Sequence, residues 1–280
     1  WLCSLRPSRT IRPTVRIATL WPRSAGSART STRVSLACDD FATFGAERLD
    51  QRVKLLFPLD DGSFCDLGSG DWHQRWRALP EHRRNPFRTY TVRDIDQRTC
   101  RLDIDFVVHA ELGEGASGPA SRWLAAAGPG SELVVIGPDA RSPQSGVGID
   151  WRPRDAGDLL LAGDETAAPA IASILETLPE GRRAHAFIEV PAAADALALD
   201  LPQGAAATWL SRQGGEHGCE LTPAVTAWLA GHPEVVAAAA APRGRRQRLA
   251  AVDVDARSSG SIPRTAPAVS TPGSRASRPW

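Results

Sequence analysis

The chain has no methionine among its 280 residues, one lysine (Lys54), one asparagine (Asn85) and one tyrosine (Tyr90), against 33 Lys and Arg together. The scarce residues have AT-rich codons, whereas the abundant Arg, Ala, Gly and Pro have GC-rich ones, so the gene is expected to be very GC-rich. Without a methionine, the chain as given is not expected to begin at a natural start. Its five cysteines, Cys3, Cys38, Cys65, Cys100 and Cys219, form no C-x-x-C pair and have no histidine at ligand spacing. That argues against a metal centre or a disulfide framework, and fits a reducing, cytoplasmic compartment. No apolar run approaches the roughly 18 residues that a membrane span requires. No excess of one charge marks a nucleic-acid partner either, since the formal net charge is +1.

What is present divides into four parts. Residues 1–32 are rich in Arg, Ser and Thr, have no acid and show no sustained period. They read as a transit-like leader, a basic arm, or a segment outside the native frame. From Arg33 to about residue 145, the runs RVSL, RVKLLFP, RTYTVRDI, RLDIDFVVH and ELVVIGP are short and β-like, with turn residues between them. They predict a small antiparallel barrel. PASRWLAAA, opened by Gly118-Pro119 and closed by Gly128, predicts a helix over Pro119–Ala127. Over residues 156–255 the pattern changes to DLLLAGDE, APAIASILETL, AHAFIEV, ATWLSR and LTPAVTAWLAG. Strands alternating with helices predict a parallel α/β layer, with ligands beyond the strands' carboxyl ends, here at Gly163–Thr166.

Several stretches carry possible chemistry, each with a plainer reading beside it. GEGASG (Gly113 to Gly118) matches G-x-G-x-x-G between a strand and a helix, with Glu132 some way on. No βαβ unit surrounds it, so it reads as a phosphate-cradling helix start or as an ordinary capped loop. In RTYT, Arg88 and Tyr90 share one face of a strand and Thr89 and Thr91 the other. Arg offers a bidentate fork to a diphosphate and Tyr a flat ring, unless this is a plain barrel strand with a surface arginine. His109 ends a strand before the Gly loop, as a cofactor contact or a structural histidine. GDET (Gly163 to Thr166) ends a buried strand as a ligand site or a helix cap.

Taken in order, RVSLACDDF, QRVKLLFP, RNPFRTYTVR, LDIDFVVH, GPASRWLAAAGPGSELVVIGP, LLLAGDETAAPAIASILE and TWLSR resemble the siderophore-interacting protein family from about Arg33 to Asp255. That family comprises FAD-dependent ferric-siderophore reductases on the ferredoxin–NADP reductase plan. The resemblance implies a Greek-key FAD-binding barrel followed by an NAD(P)H-binding α/β domain. It implies that Arg88 binds the FAD diphosphate, Tyr90 packs on the isoalloxazine and Thr91 hydrogen-bonds near flavin N5. His109 and Gly118, Pro119, Ala120, Ser121 and Trp123 would complete the cradle, and Gly163, Asp164, Glu165 and Thr166 would face NADPH or NADH. The implied activity passes electrons from NAD(P)H to ferric siderophores and releases Fe(II). The expected protein is a monomer without nucleic-acid partners or a resident metal. Arg83, Arg84 and Arg93 are candidates to attract an anionic siderophore. The alternatives are a non-catalytic flavin or siderophore binder, and a general flavin-dependent diaphorase.

Residues 256–280 depart from the resemblance. Ala268 to Ser277, read one base early, can encode GFYAWIAGE, which is similar to the family's continuation. The expectation is a frame lost near Ala256, an out-of-frame tail, and an α/β domain incomplete at its C-terminal side, with weakened hydride transfer.

Overall fold

The computed structural model describes residues 14–20, 27–28, 30–45, 47–68, 71–107, 118–153 and 156–240. All belong to one compact unit, Trp1–Gln247. The tail reading at 256–280 and most of the leader lie outside the described residues.

The first layer is an antiparallel sheet of eight strands: β1 (Thr14–Leu20), β2 (Ser27–Ala28), β3 (Ser31–Ala37), β4 (Arg52–Leu56), β5 (Phe87–Thr91), β6 (Asp94–Asp96), β7 (Arg101–Val107) and β8 (Glu132–Gly137). Seven of them follow the order β5-β4-β8-β1-β3-β7-β6, and β2 pairs with β3. Period-2 patterning accounts for the core, because Leu102, Ile104 and Phe106 of β7 pack with Val34 and Leu36 of β3, Val53 and Leu55 of β4, and Leu133 and Val135 of β8. β7 is buried on its other face as well, where Asp103 and Asp105 meet arginines, so its acids are inside only because they are paired.

Two sequence expectations change here. No strand is expected before Arg33, yet β1 lies between β8 and β3, with Val15 opposite Ile136 and Thr19 opposite Ala37. TVRIATL carries the β-branched content of a strand, but the surrounding arginines obscure it. The expected barrel is an open ladder path, and among the described residues no ladder closes it. RTYTVRDI is one chain segment serving both ends of that path. Its first half pairs with β4 and its second with β7, and Val92–Arg93 forms the corner. Val92 N–H donates to Gln51 O (2.8 Å) and Arg93 N–H to Asp103 O (2.9 Å), so each corner residue follows a different edge.

Two helices belong to this layer. α1 (Trp72–Ala78), which the sequence reading omits, is capped by Asp71, whose carboxylate accepts from Gln74 N–H at 3.0 Å. α2 (Pro119–Ala126) starts with Pro at its first turn behind Gly118, as expected.

The second layer is a parallel sheet in the order β11-β10-β9, from β9 (Asp158–Gly163), β10 (Arg183–Val190) and β11 (Ala205–Ser211). α3 (Ala168–Glu176) crosses between β9 and β10; α4 (Leu221–Gly231) and α5 (Pro233–Ala239) follow β11. Ile171, Ile174 and Leu175 of α3 pack on Leu161, Ala186 and Ile188. The near-continuous apolar strands are those of a parallel sheet covered by helices.

Candidate functional site

β5 sorts its residues by alternation. Tyr90 turns inward, with its ring centroid 4.4 Å from that of Phe106, which is in turn 6.0 Å from Trp123 of α2. Thr89 turns outward and accepts a 2.6 Å hydrogen bond from Lys54 Nζ on the neighbouring strand. Burial pushes the Tyr90 phenol up to about 12 against a smaller opposing pull from Arg88, so the ring is neutral at ordinary pH. Burial, then the Arg52 charge, lowers the Lys54 ammonium.

Arg88 is exposed, and its Nη1 donates to Phe87 O at 2.8 Å. Its Nη2 stands 3.9 Å from where a Cβ on Gly118 would lie. Gly118 is the N-cap of α2 and makes no side-chain cap bond, so a guanidinium and the free N–H groups of a helix start share one place. That combination suits a diphosphate. Asn85 holds the lead-in to β5: its amide donates to Phe57 O and Ser63 O (both 2.9 Å), and its carbonyl oxygen accepts from Cys65 N–H at 2.7 Å.

At the second layer, β9 ends in Gly163 and turns through Asp164-Glu165-Thr166 into α3. A Cβ on Gly163 would lie 2.5 Å from that of Ala167, so only glycine permits this strand-to-helix approach. Asp164 Oδ1 accepts from Thr166 N–H (2.9 Å) and Thr166 Oγ1 (2.6 Å), which fixes the turn. Glu165 faces inward, where Arg212 donates to both its oxygens at 2.7 Å. Glu189, fully buried, accepts from the N–H groups of Gly218, Glu220 and Leu221 at 2.7, 2.9 and 3.1 Å, a carboxylate seated on the start of α4. Burial raises both acids' pKa, but Arg212 for Glu165, and the backbone donors with Arg212 for Glu189, outweigh it and leave both below the usual carboxylate value. Asp164, Glu165 and His217 bring ligand atoms within 4.8 Å of one another, but Arg212 already occupies both Glu165 oxygens.

The structure thus brings Arg88, Tyr90, Gly118 and Trp123 together, with Thr91 ending the same strand and Pro119, Ala120 and Ser121 forming the first turn of α2. Gly163, Asp164 and Thr166 form the other layer's strand-end turn, while Glu165 is spent on Arg212. His109 and residues 113–117 lie outside the described residues. Two of the three arginines suggested for siderophore attraction have other work. Arg93 is buried and paired with Glu176, and Arg84 donates to Leu79 O and Arg77 O at 2.6 and 2.8 Å beyond α1. Arg83 is exposed.

The siderophore-interacting FAD-binding domain model matches residues 28–142, and the siderophore-interacting protein model matches residues 156–257. The chain belongs to the siderophore-interacting protein family. An uncharacterized Mycobacterium tuberculosis protein is 36% identical over 217 residues, covering 72% of this chain and 71% of that one. The ferric vibriobactin reductase ViuB of Vibrio cholerae is 33% identical over 180 residues, which are 64% of this chain and 60% of ViuB. The crystal structure of a siderophore utilization protein from T. fusca superposes with a TM-score of 0.61 at 30% identity, over 85% of this chain and 91% of that one. These likenesses place the chain among siderophore-interacting FAD-binding proteins.

Sequence reasoning missed Lys54, Asn85, and the Phe106 ring that lies between Tyr90 and Trp123. One signal was available: the only lysine, asparagine and tyrosine all lie on β4, on β5 or on the lead-in to β5.

Proposed function

We propose that this protein is an FAD-dependent oxidoreductase that passes electrons from NAD(P)H to ferric siderophores, releasing iron as Fe(II). The observation that carries the reading is the placing of Arg88 beside the uncapped start of α2, with Tyr90 on the same face of the same strand. Family membership and the reductase name of ViuB support it.

Bound flavin would supply the two-to-one conversion, taking two electrons together from the nicotinamide and giving them singly to iron. One hydride then reduces two ferric ions and leaves one proton and NAD(P)+. Arg88 and the N–H groups opening α2 hold the diphosphate. Tyr90 offers a neutral flat face, and Phe106 and Trp123 behind it keep that ring from yielding. The Thr91 hydroxyl, at the end of the same strand, would offer a hydrogen bond to the flavin near N5. On the other layer, Gly163 lets the start of α3 pack close against the end of β9, where the dinucleotide would lie, and Asp164 fixes the turn. The ferric siderophore is substrate; Fe(II) carries less charge on the same hard oxygen ligands, so its complex is weaker and iron is released.

The test is the visible flavin band of FAD-loaded protein under anaerobic NADH or NADPH, then with a ferric siderophore and a ferrous chelator. Bleaching, followed by recovery with stoichiometric Fe(II), is expected. A band that neither dinucleotide bleaches would refute the reaction. Equal kcat/KM on a ferric siderophore and on a simple dye would favour a general diaphorase.

A further inference from the structure

We infer that Arg93 and Glu176 are positioning residues for hydride transfer, a latch that sets the nucleotide layer against the flavin strand. The inference rests on the reaction proposed above and assigns a role to an arginine that the flavin and siderophore readings leave without one.

The geometry is specific. Arg93 Nη1 and Nη2 each donate to one oxygen of Glu176 at 2.7 Å, and Arg48 Nη2 adds a third bond at 2.8 Å. Beside them Ser173 Oγ, also on α3, donates to the carbonyls of Val92 and Arg93, both at 3.3 Å. Thus the corner residues of the first sheet, Val92 and Arg93, are gripped by the side chains of α3. The corner begins directly after Thr91, and Arg93 is two residues beyond it. At its other end α3 starts from the Gly163–Thr166 turn, about 14 Å away for nine residues of helix. One rigid helix therefore carries the dinucleotide-facing turn at its start and grips the flavin strand at its end.

Charge accounting excludes a ligand role for the cluster. Glu176 faces Arg93 and Arg48, Asp105 faces Arg33 and Arg93, and Asp94 faces Arg48, so three arginines meet three carboxylates. The Arg93 and Glu176 side chains are only 6% and 12% exposed. A buried ion pair contributes less to stability than a well-packed apolar contact would, but a two-pronged Arg–carboxylate pair fixes both distance and orientation. Orientation is what hydride transfer needs, since a displacement of about 1 Å can cost about a hundredfold in rate.

The test compares Glu176→Gln with the wild type, both loaded with FAD. Glu176→Gln keeps the shape and loses the charge. Expected are a limiting rate of flavin bleaching lowered at least about tenfold, FAD and dinucleotide dissociation constants that stay close to wild type, and faster amide exchange in α3 and at Val92–Asp94 but not in α4. A merely structural pair would lower the melting temperature and leave the limiting rate alone. An unchanged limiting rate in FAD-loaded Glu176→Gln, or a rate that falls only in step with FAD affinity, overturns the inference. Should that variant not fold, Ser173→Ala is read by the same rate and exchange measurements. A wild type bleached by neither dinucleotide refutes the reaction itself and the positioning role with it, an outcome distinct from a wild type that bleaches beside an unaffected variant.

Discussion

Arg88 reaches across from β5 until its Nη2 lies 3.9 Å from the place a side chain on Gly118 would begin, so one strand and one helix start converge on the same small volume. Arg88→Ala removes the guanidinium that this convergence supplies. FAD binding is expected to weaken about tenfold or more, from loss of charge-assisted bonds of about 1.5–3 kcal/mol, and flavin fluorescence titration measures it. Gly118→Leu, which pushes against the guanidinium, is expected to weaken FAD binding in the same assay. Unchanged affinity in Arg88→Ala would refute the diphosphate role.

The single tyrosine makes its environment directly measurable. Burial raises the Tyr90 phenol from 10.0 to about 12, so the stability it contributes is whole below pH 10 and is lost as pH rises through about 12. Alkaline difference absorbance of the folded protein is expected to show one phenol transition near the upper value, moving to about 10 in denaturant. A transition near 10 in the folded protein would show that Tyr90 is not packed on Phe106.

Glu189 is a buried anion held by three backbone donors, with Arg212 3.9 Å away. Glu189→Ala strands those donors and is expected to cost about 3–5 kcal/mol, read from the urea midpoint at constant m. A loss below about 1 kcal/mol would mean that water replaces the carboxylate at little cost.

Glu165, Glu176 and Glu189 all have carboxyls held below the usual 4.5, because their arginine and backbone partners outweigh burial. A depressed folded value adds stability that is present above 4.5 and lost as pH falls through the folded value. The urea midpoint is expected to be level near neutral pH and to drop steeply below the usual carboxylate range. Glu176→Gln flattens part of that drop, and an acid limb identical in wild type and variant would contradict the assignment.

The family match ends at residue 257, next to Ala256, where the sequence reading loses the family pattern. Resequencing the DNA across codons 250–280 is expected to reveal an adjacent frame encoding a GFYAWIAGE-like stretch. Its absence would remove the frame-loss proposal.

The two sheets, the helix behind Gly118-Pro119, and the sequence of α4 were legible because each rests on local rules: period-2 alternation, Pro after Gly at a helix start, and apolar runs of helical length. RTYT was legible as a candidate for the same reason, with Arg88 and Tyr90 on one strand face, whereas GPASRW was a candidate for the flavin only through the family resemblance. β1 was not legible, since its pairing with β8 joins residues more than a hundred apart and nothing local demands it. Nor was the fate of the arginines. Sequence proximity made Arg93 a surface candidate, but the corner at Val92–Arg93 turns it inward to Glu176, and a strand of acids on β7 balances the charge.

The sequence alone therefore determined most of the strands and helices, though not β1 or α1, and which chemical types occur at the strand ends, because those follow from neighbours within a few positions. Tertiary structure decided which charges are free and which are spent. Glu165 and Arg212 are 47 positions apart, Arg93 and Glu176 are 83 apart, and only the packing of two layers brings them within hydrogen-bond distance.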